Sequence, residues 1–201
     1  MTISLIDYGL GNLGSVANML KRVGVESRRV STPEEILESE KLLLPGVGAY
    51  DSGVAHLKEL DLLDPIRRYA DSGRPLLGIC LGMQLLVESS AEGEHPGLGL
   101  IGGRCERFVD SPGLRVPHMG WNRARAVHDD PLLAGLDDES RFYFVHSYHV
   151  IPTAPEDALA ETVYGSPFTS MIRRGNVMGA QFHPEKSHKF GMTILRNFAQ
   201  L

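Results

Sequence analysis

Cysteine is scarce in this sequence, with only Cys80 and Cys105 among 201 residues. Two widely separated cysteines do not provide the disulfide framework of a small secreted protein, and the first residues do not resemble a secretory signal. We therefore expect free thiols and a cytoplasmic protein.

Long apolar runs and an excess of positive charge are also missing. The longest apolar stretch, residues 75–87, is interrupted by Gln84 and is too short to span a bilayer. The formal net charge is -5, whereas nucleic-acid-binding proteins usually have a basic face. We expect neither a membrane nor a nucleic acid as a partner.

Strand-like and helix-like patterns alternate in the first half of the chain. Apolar runs predict strands at residues 3–6, 25–30, 41–44 and 75–79. Helices are predicted at residues 15–23 and 83–88, after the capping box that begins at Thr32, and between Asp64 and Gly73. This alternation is typical of a parallel sheet covered by helices.

Strands dominate the second half, where few helices are predicted between them. The predicted strands are at residues 141–150, 158–163, 169–172 and 177–182, followed by a closing helix at residues 187–198. We predict one α/β domain over residues 1–201, with an open, mostly parallel sheet flanked by helices.

A glycine pattern near the start, Gly9-x-Gly11-x-x-Gly14, is typical of dinucleotide-binding proteins. Such a site also needs an acidic residue near the end of the second strand to bind the ribose hydroxyls. Residues 28–31 are Arg-Arg-Val-Ser instead. Because an arginine suits the extra phosphate of NADP, a dinucleotide-binding oxidoreductase stays open as an alternative.

Cys80 lies in Gly78-x-Cys80-x-Gly82, the arrangement of a nucleophile elbow between a strand and a helix. The helix N-terminus favours a thiolate, and the N–H of Leu81 would point to where an oxyanion forms. A cysteine in an apolar stretch is more often part of the core, but the flanking glycines favour a nucleophile. Cys105 has no such surroundings and is interpreted as structural.

A thiol nucleophile needs a base, and the base needs a group that orients it. His183 directly follows a predicted strand, and Glu185 is close enough in sequence to reach one imidazole nitrogen. Val47, in a proline-glycine turn after the neighbouring strand, offers a second N–H for an oxyanion. An ordinary turn is the alternative interpretation of that segment.

Three motifs in this order, PGVGAYDSG, GICLGMQLL and FHPEKS, resemble those of the class I (triad-type) glutamine amidotransferases. Three others, DYGLGNLGSV, PHMGWN and YFVHSYHV, more narrowly resemble the glutaminase subunits of imidazole glycerol phosphate synthase. The resemblance covers essentially the whole chain. It implies an open α/β sheet with a flavodoxin-like core.

The resemblance also implies a glutaminase mechanism. Cys80 would attack the side-chain amide of glutamine, His183 would transfer protons, and Glu185 would hold the imidazole. A γ-glutamyl thioester would then be hydrolysed to glutamate. The oxyanion would be stabilised by the N–H groups of Val47 and Leu81. The residues implied to hold L-glutamine are Gly48, Gln84, Glu92, Ser147 and Tyr148.

The implied partner is a separate (β/α)8-barrel cyclase subunit in a heterodimer. It would use the ammonia to make imidazole glycerol phosphate and an aminoimidazole carboxamide ribotide. The residues implied at the interface are Asn12, Trp121, Tyr143 and Lys186. A glutaminase subunit of another synthase, of the pyridoxal phosphate or anthranilate type, is the alternative within the family.

No cofactor and no metal are expected. The spacing His146-x-x-His149 is only a weak metal pattern, because residues three apart on a strand point to opposite faces.

One position departs from the family pattern. Many class I glutaminases have Pro-Gly-Gly where this chain has Pro45-Gly46-Val47. Because valine resists a positive φ, we expect the donor N–H not to be turned inward at rest. The expectation is low glutaminase activity alone and strong activation by the liganded cyclase.

Overall fold

The computed structural model describes residues 2–110 and 113–201, which form one eleven-stranded mixed sheet, a separate two-stranded sheet and the helices around them. The strands are β1 (Thr2–Ile6), β2 (Glu26–Val30), β3 (Lys41–Gly46), β4 (Leu76–Cys80), β5 (Ser89–Ser90), β6 (Gly103–Arg107), β7 (His118–Arg123), β8 (Arg125–Ala126), β9 (Arg141–His146), β10 (Tyr148–Pro152), β11 (Ala158–Tyr164), β12 (Ser166–Arg174) and β13 (Val177–Ala180). The helices are α1 (Leu13–Arg22), α2 (Pro33–Glu38), α3 (Tyr50–Glu59), α4 (Leu63–Asp71), α5 (Leu81–Leu85) and α6 (His188–Gln200).

Five parallel strands in the order β2-β1-β3-β4-β13 form one half of the sheet. Every residue of β3 and β4 is buried, as expected for apolar runs covered on both faces. Helices α1 and α6 pack into the core on one face, and α2 to α5 pack into the core on the other. The predicted fold class is confirmed.

The other half of the sheet is mainly antiparallel. Strand β12 pairs with β13 on one side and with β10 on the other, and β6 and β5 continue the sheet beyond β10. Strand β11 also pairs with β12, whereas β7 and β9 form the separate two-stranded antiparallel sheet. The two halves meet at β13, so that strand sits beside β4, the strand that carries Cys80.

The structure corrects three sequence-based predictions. Helix α3 was not predicted, because its N-cap residue Ala49 provides no side-chain hydrogen bond. Strands β5 to β8 were not predicted either. The strand expected at residues 141–150 is broken at Ser147 into β9 and β10. The capping box at Thr32, by contrast, is confirmed by both of its hydrogen bonds.

Among the described residues, no helix combines the length and the apolar character needed to cross a membrane.

Candidate active site

Cys80 lies at the sharp turn where β4 ends and α5 begins. Its backbone has φ 54° and ψ −110°, a conformation that favours glycine and that other residues adopt at a cost. The flanking glycines are required by close packing. A Cβ on Gly78 would lie 2.6 Å from the Gly82 carbonyl oxygen, and one on Gly82 would collide with the Leu44 carbonyl oxygen. The elbow predicted from the sequence is therefore present, with Cys80 7% exposed.

His183 and Glu185 lie on the short turn that follows β13. The His183 Nδ1 atom is 2.8 Å from Glu185 Oε1, and the two side chains are only 2% and 3% exposed. Burial lowers the pKa of His183, but Cys80 and Glu185 together outweigh it and raise the pKa to about 9. The buried Nε2 atom has no hydrogen-bond partner in the described structure.

The backbone around His183 is tied to strand β9. The His183 N–H donates to the Tyr143 carbonyl at 2.9 Å. The Ser187 hydroxyl accepts from the Tyr143 N–H at 3.0 Å and donates to the His183 carbonyl at 2.6 Å. Three hydrogen bonds therefore fix the position of the imidazole relative to β9.

A pocket of about 330 Å³ opens above Cys80. Its lining residues are Val47, Gly48, Cys80, Leu81, Gln84, Glu92, Pro117, Val145, His146, Ser147, Tyr148 and His183. Every residue predicted to stabilise the oxyanion or hold the substrate is thus brought together with Cys80 and His183. Glu185 lies behind His183 rather than in the pocket lining. The larger cavity of about 470 Å³ around Asp130 and Phe142 contains none of these residues.

Gln84 and Glu92 are held in the pocket wall by specific hydrogen bonds. The Gln84 amide nitrogen donates to the Tyr148 carbonyl at 3.0 Å and to Gln181 Oε1 at 3.2 Å. Glu92 Oε2 accepts the Tyr50 N–H at 3.0 Å and so takes the place of the missing cap of α3. Burial raises the pKa of the Glu92 carboxyl group.

The two predicted oxyanion donors directly follow neighbouring strands, Val47 after β3 and Leu81 after β4. Leu81 is the first residue of α5, and the Cys80 side chain does not cap that helix. Gly46 is the register partner of Cys80, so Val47 lies next to the elbow. Val47 is 40% exposed, and the positive φ in this loop, 107°, falls on Gly48 instead.

The chain matches the family model described as glutamine amidotransferase class-I over residues 4–201. The chain belongs to the class-I glutamine amidotransferase family. It is 48% identical over 200 residues to imidazole glycerol phosphate synthase subunit HisH 2 of Pseudomonas aeruginosa, covering 99% of both chains. It is 47% identical to subunit HisH 2 of Methanococcus maripaludis, covering 98% of both. Both levels of the resemblance are confirmed.

Solved structures of amidotransferases have the same fold. The structure of PurLQS from Thermotoga maritima matches with a TM-score of 0.79 at 20% identity, covering 99% of this chain and 97% of that one. A structure described as a glutamine amidotransferase matches with a TM-score of 0.75 at 22% identity, covering 98% and 97%. Family membership replaces the dinucleotide-binding interpretation of the glycine pattern. Gly9 and Gly11 lie in the turn between β1 and α1, and Gly14 lies in the first turn of α1.

Three of the four predicted interface residues are neighbours on the surface of this amidotransferase. The rings of Trp121 and Tyr143 are 6.0 Å apart, and the Lys186 ammonium lies 5.7 Å from the centre of the Tyr143 ring. Trp121 is 47% exposed, and its neighbour in the PHMGWN motif, Met119, is 62% exposed. Asn12 is the N-cap of α1, where its side chain accepts the Ser15 N–H.

Sequence reasoning missed the polar residues buried beside the pocket. Gln181 is fully buried, and its amide nitrogen lies 3.9 Å from Cys80 Sγ. His118 and His146 are buried and hydrogen-bonded to each other. The one available signal was a glutamine inside the apolar strand pattern of residues 177–182.

Because the chain breaks at Ser147, the rings of His146 and His149 both pack against Phe108, with centroid distances of 5.3 Å and 4.6 Å. The expectation that these two side chains point to opposite faces was therefore wrong.

Proposed function

We propose that this chain is the glutaminase subunit of imidazole glycerol phosphate synthase and that it acts as one domain. The observation that carries this proposal is the arrangement of three residues. Cys80, in its strained backbone conformation, lines the same pocket as His183, and His183 Nδ1 is 2.8 Å from Glu185 Oε1. The full-length similarity to HisH subunits supports the choice of synthase.

In the proposed reaction, Cys80 Sγ attacks the side-chain amide carbon of L-glutamine. The thiol proton goes to His183 and then to the leaving nitrogen, which departs as ammonia. Glu185 accepts the Nδ1–H of His183 and keeps Nε2 facing the reaction. Water then attacks the thioester, so that glutamate leaves and the thiol is regenerated.

The negative charge that develops on the carbonyl oxygen needs donors placed before the reaction begins. We assign the N–H of Leu81 and, after reorientation of its peptide, the N–H of Val47. Because Val47 lacks a positive φ, we expect little activity until a partner rearranges this loop. Activation by the liganded cyclase is part of the proposal.

The glutamine side chain would enter with its α-amino and α-carboxylate groups toward the pocket wall. Both N–H groups of Gln84 are already bonded within the protein, so its free oxygen suits the α-ammonium group, as does the Glu92 carboxylate. We propose that the α-amino and α-carboxylate groups of glutamine contact the main chain of Ser147 and Tyr148. We place Gly48 at the rim of the pocket.

The partner in this proposal is a (β/α)8-barrel cyclase subunit in a cytoplasmic heterodimer. It would cover the aromatic face formed by Met119, Trp121, Tyr143 and Lys186, with Asn12 at its edge. Exposed aromatic residues are enriched in such contacts. Ammonia would pass to the cyclase and enter imidazole glycerol phosphate.

The test combines this chain with the cyclase subunit from the same organism and the cyclase's nucleotide ligand. We expect a complex of equal stoichiometry, strong acceleration of glutamate release, and glutamine-dependent formation of imidazole glycerol phosphate. Free ammonia, supplied to the cyclase alone, is the control that bypasses this chain. Equal glutamine turnover with and without the liganded cyclase would contradict the activation, and absence of the glutamine-dependent product would contradict the assignment.

A further inference from the structure

Two buried histidines lie at the pocket, outside the proposed triad: His146 is part of the pocket lining, and His118 is hydrogen-bonded to it. His118 belongs to β7 and His146 ends β9, and they are 3% and 6% exposed. The His118 ring stacks on Phe144 at 4.7 Å and on Tyr164 at 4.0 Å. These aromatic contacts hold the His118 ring in one orientation, so its nitrogens face fixed partners.

Hydrogen-bond chemistry determines where each imidazole proton sits. The His146 Nδ1 atom is 2.8 Å from the Tyr148 carbonyl oxygen, which only accepts, so Nδ1 carries the proton. Burial lowers the pKa of His146 to about 3 and that of His118 to about 4, so both rings are neutral near pH 7. His146 Nε2 is therefore an acceptor.

The same reasoning continues to His118. Its Nδ1 atom lies 3.1 Å from His146 Nε2 and must donate to it. His118 Nε2 then accepts from the amide nitrogen of Asn122 at 3.3 Å. That nitrogen also donates to the Val163 carbonyl at 2.9 Å, which fixes the orientation of the Asn122 amide. Apart from the bond to Val163, the donors follow one another in one direction, from Asn122 through His118 and His146 toward the pocket.

The chain of hydrogen bonds reaches the substrate-binding wall at the Tyr148 carbonyl. This oxygen accepts from both His146 and Gln84, so two lone pairs are used. The second N–H of Gln84 donates to Gln181, whose own amide nitrogen lies near Cys80 Sγ. Gln84 is thereby oriented with its oxygen as the only free polar atom of its amide.

We propose that His118 and His146 are a positioning pair, both in the Nδ1–H tautomer, which holds the Tyr148 carbonyl so that Gln84 presents its oxygen to the ligand. The identity of that ligand as glutamine rests on the proposed function. A change in either tautomer would set two lone pairs against each other, at His146 Nδ1 and the Tyr148 carbonyl or between the two rings. The pair therefore has one arrangement that satisfies every partner.

The first test measures the tautomers directly. Long-range proton–nitrogen NMR spectra of the ¹⁵N-labelled full chain at pH 7 distinguish Nδ1–H, Nε2–H and imidazolium rings. We expect neutral Nδ1–H for both His118 and His146, each assigned by the signal that disappears in its own phenylalanine variant. An Nε2–H tautomer or a charged ring at either position would overturn the proposal. This outcome does not depend on glutaminase activity, so it is separate from any failure of the proposed function.

The second test separates positioning from packing. His118→Phe keeps the ring stacking but removes the donor, whereas His118→Asn places an amide near the position of Nδ1. In the complex with the liganded cyclase, we expect His118→Phe to raise KM for glutamine about tenfold with kcat changed less than about threefold. His118→Asn should recover most of the loss. An unchanged KM in His118→Phe, or no recovery in His118→Asn, would contradict the proposal. If the phenylalanine variant does not fold, the tautomers of the native chain decide, with the His118 signal assigned from His118→Asn.

Discussion

The two halves of the sheet contribute to the pocket by different physical means. The parallel half contributes backbone conformation, because Cys80 is held at φ 54° by glycines that allow no Cβ. The antiparallel half and the β7–β9 sheet contribute side-chain hydrogen bonds, which fix the Tyr148 carbonyl and the Gln84 amide. Reactivity is thus linked to a strained turn, whereas recognition is linked to a buried polar network.

The two cysteines provide the strongest test of this difference between the two halves of the sheet. Both are buried and free, and Cys80 lies in the parallel half whereas Cys105 lies in the antiparallel half. Cys80→Ala should lower glutamine hydrolysis by at least about 10⁴-fold, because no other group in the pocket is placed to form the thioester. Cys105→Ala should keep most of the activity. Glutamate release is measured in both variants with the liganded cyclase, and substantial activity in Cys80→Ala would refute the mechanism.

A smaller effect is expected at Gly46, the residue paired with Cys80. A Cβ there would collide with the Tyr8 hydroxyl and lie 3.0 Å from Leu81 Cβ. We expect Gly46→Ala to lower the free energy of unfolding by about 3 kcal/mol. The change is measured by urea unfolding.

The matched control for Gly46 removes the clashing atom. Because the Tyr8 hydroxyl is buried without a partner, Tyr8→Phe alone should be nearly neutral. Combined with Gly46→Ala, it should restore about half of the lost stability. Simple additivity of the two changes would indicate that the contact with the Tyr8 hydroxyl does not cause the loss of stability.

The pH dependence of stability tests His183, which follows the strand where the two halves meet. Its pKa is about 9 when folded, compared with about 6.5 when unfolded. The stability that protonated His183 gives to the folded state is therefore complete below about pH 6.5 and is lost as the pH rises through 9. Between pH 6.5 and 8 the free energy of unfolding should fall by about 2 kcal/mol through this group.

His183→Gln should remove this pH-dependent part of the free energy of unfolding, whereas the exposed His128→Gln should keep it. Denaturant titrations at several pH values measure both. Parallel pH profiles for the native chain and His183→Gln would show that the Cys80 and Glu185 contacts do not raise this pKa.

The smallest expected effect lies in the parallel half, away from the pocket. Thr32→Ala removes the capping box of α2 and should lower the free energy of unfolding by about 1 kcal/mol, with glutamine KM unchanged. Glu34→Ala changes a first-turn residue that makes no capping bond and should have a smaller effect. A shift in KM for Thr32→Ala would show that the backbone of the parallel half also controls recognition.

The difference between the two halves of the sheet also explains which features could be predicted from the sequence. Continuous apolar runs, caps and the Gly78–Gly82 spacing are local signals, so the parallel strands and the elbow were predictable. Helix α3 was missed because Glu92, 42 residues later in the chain, caps it. Strand β6 was missed because its two buried residues are a glycine and a cysteine, which form no apolar run. The His118–His146 bond joins residues 28 apart, and no local pattern indicates it.

The three hydrogen bonds around Tyr143 have a consequence for protein engineering. The Tyr143 side chain belongs to the aromatic face, whereas its backbone accepts the His183 N–H and donates to the Ser187 hydroxyl. Any redesign that shifts this strand to fit a new protein would also displace the imidazole. Side chains on this face can be exchanged, but the path of the β9 backbone must be copied unchanged into every design.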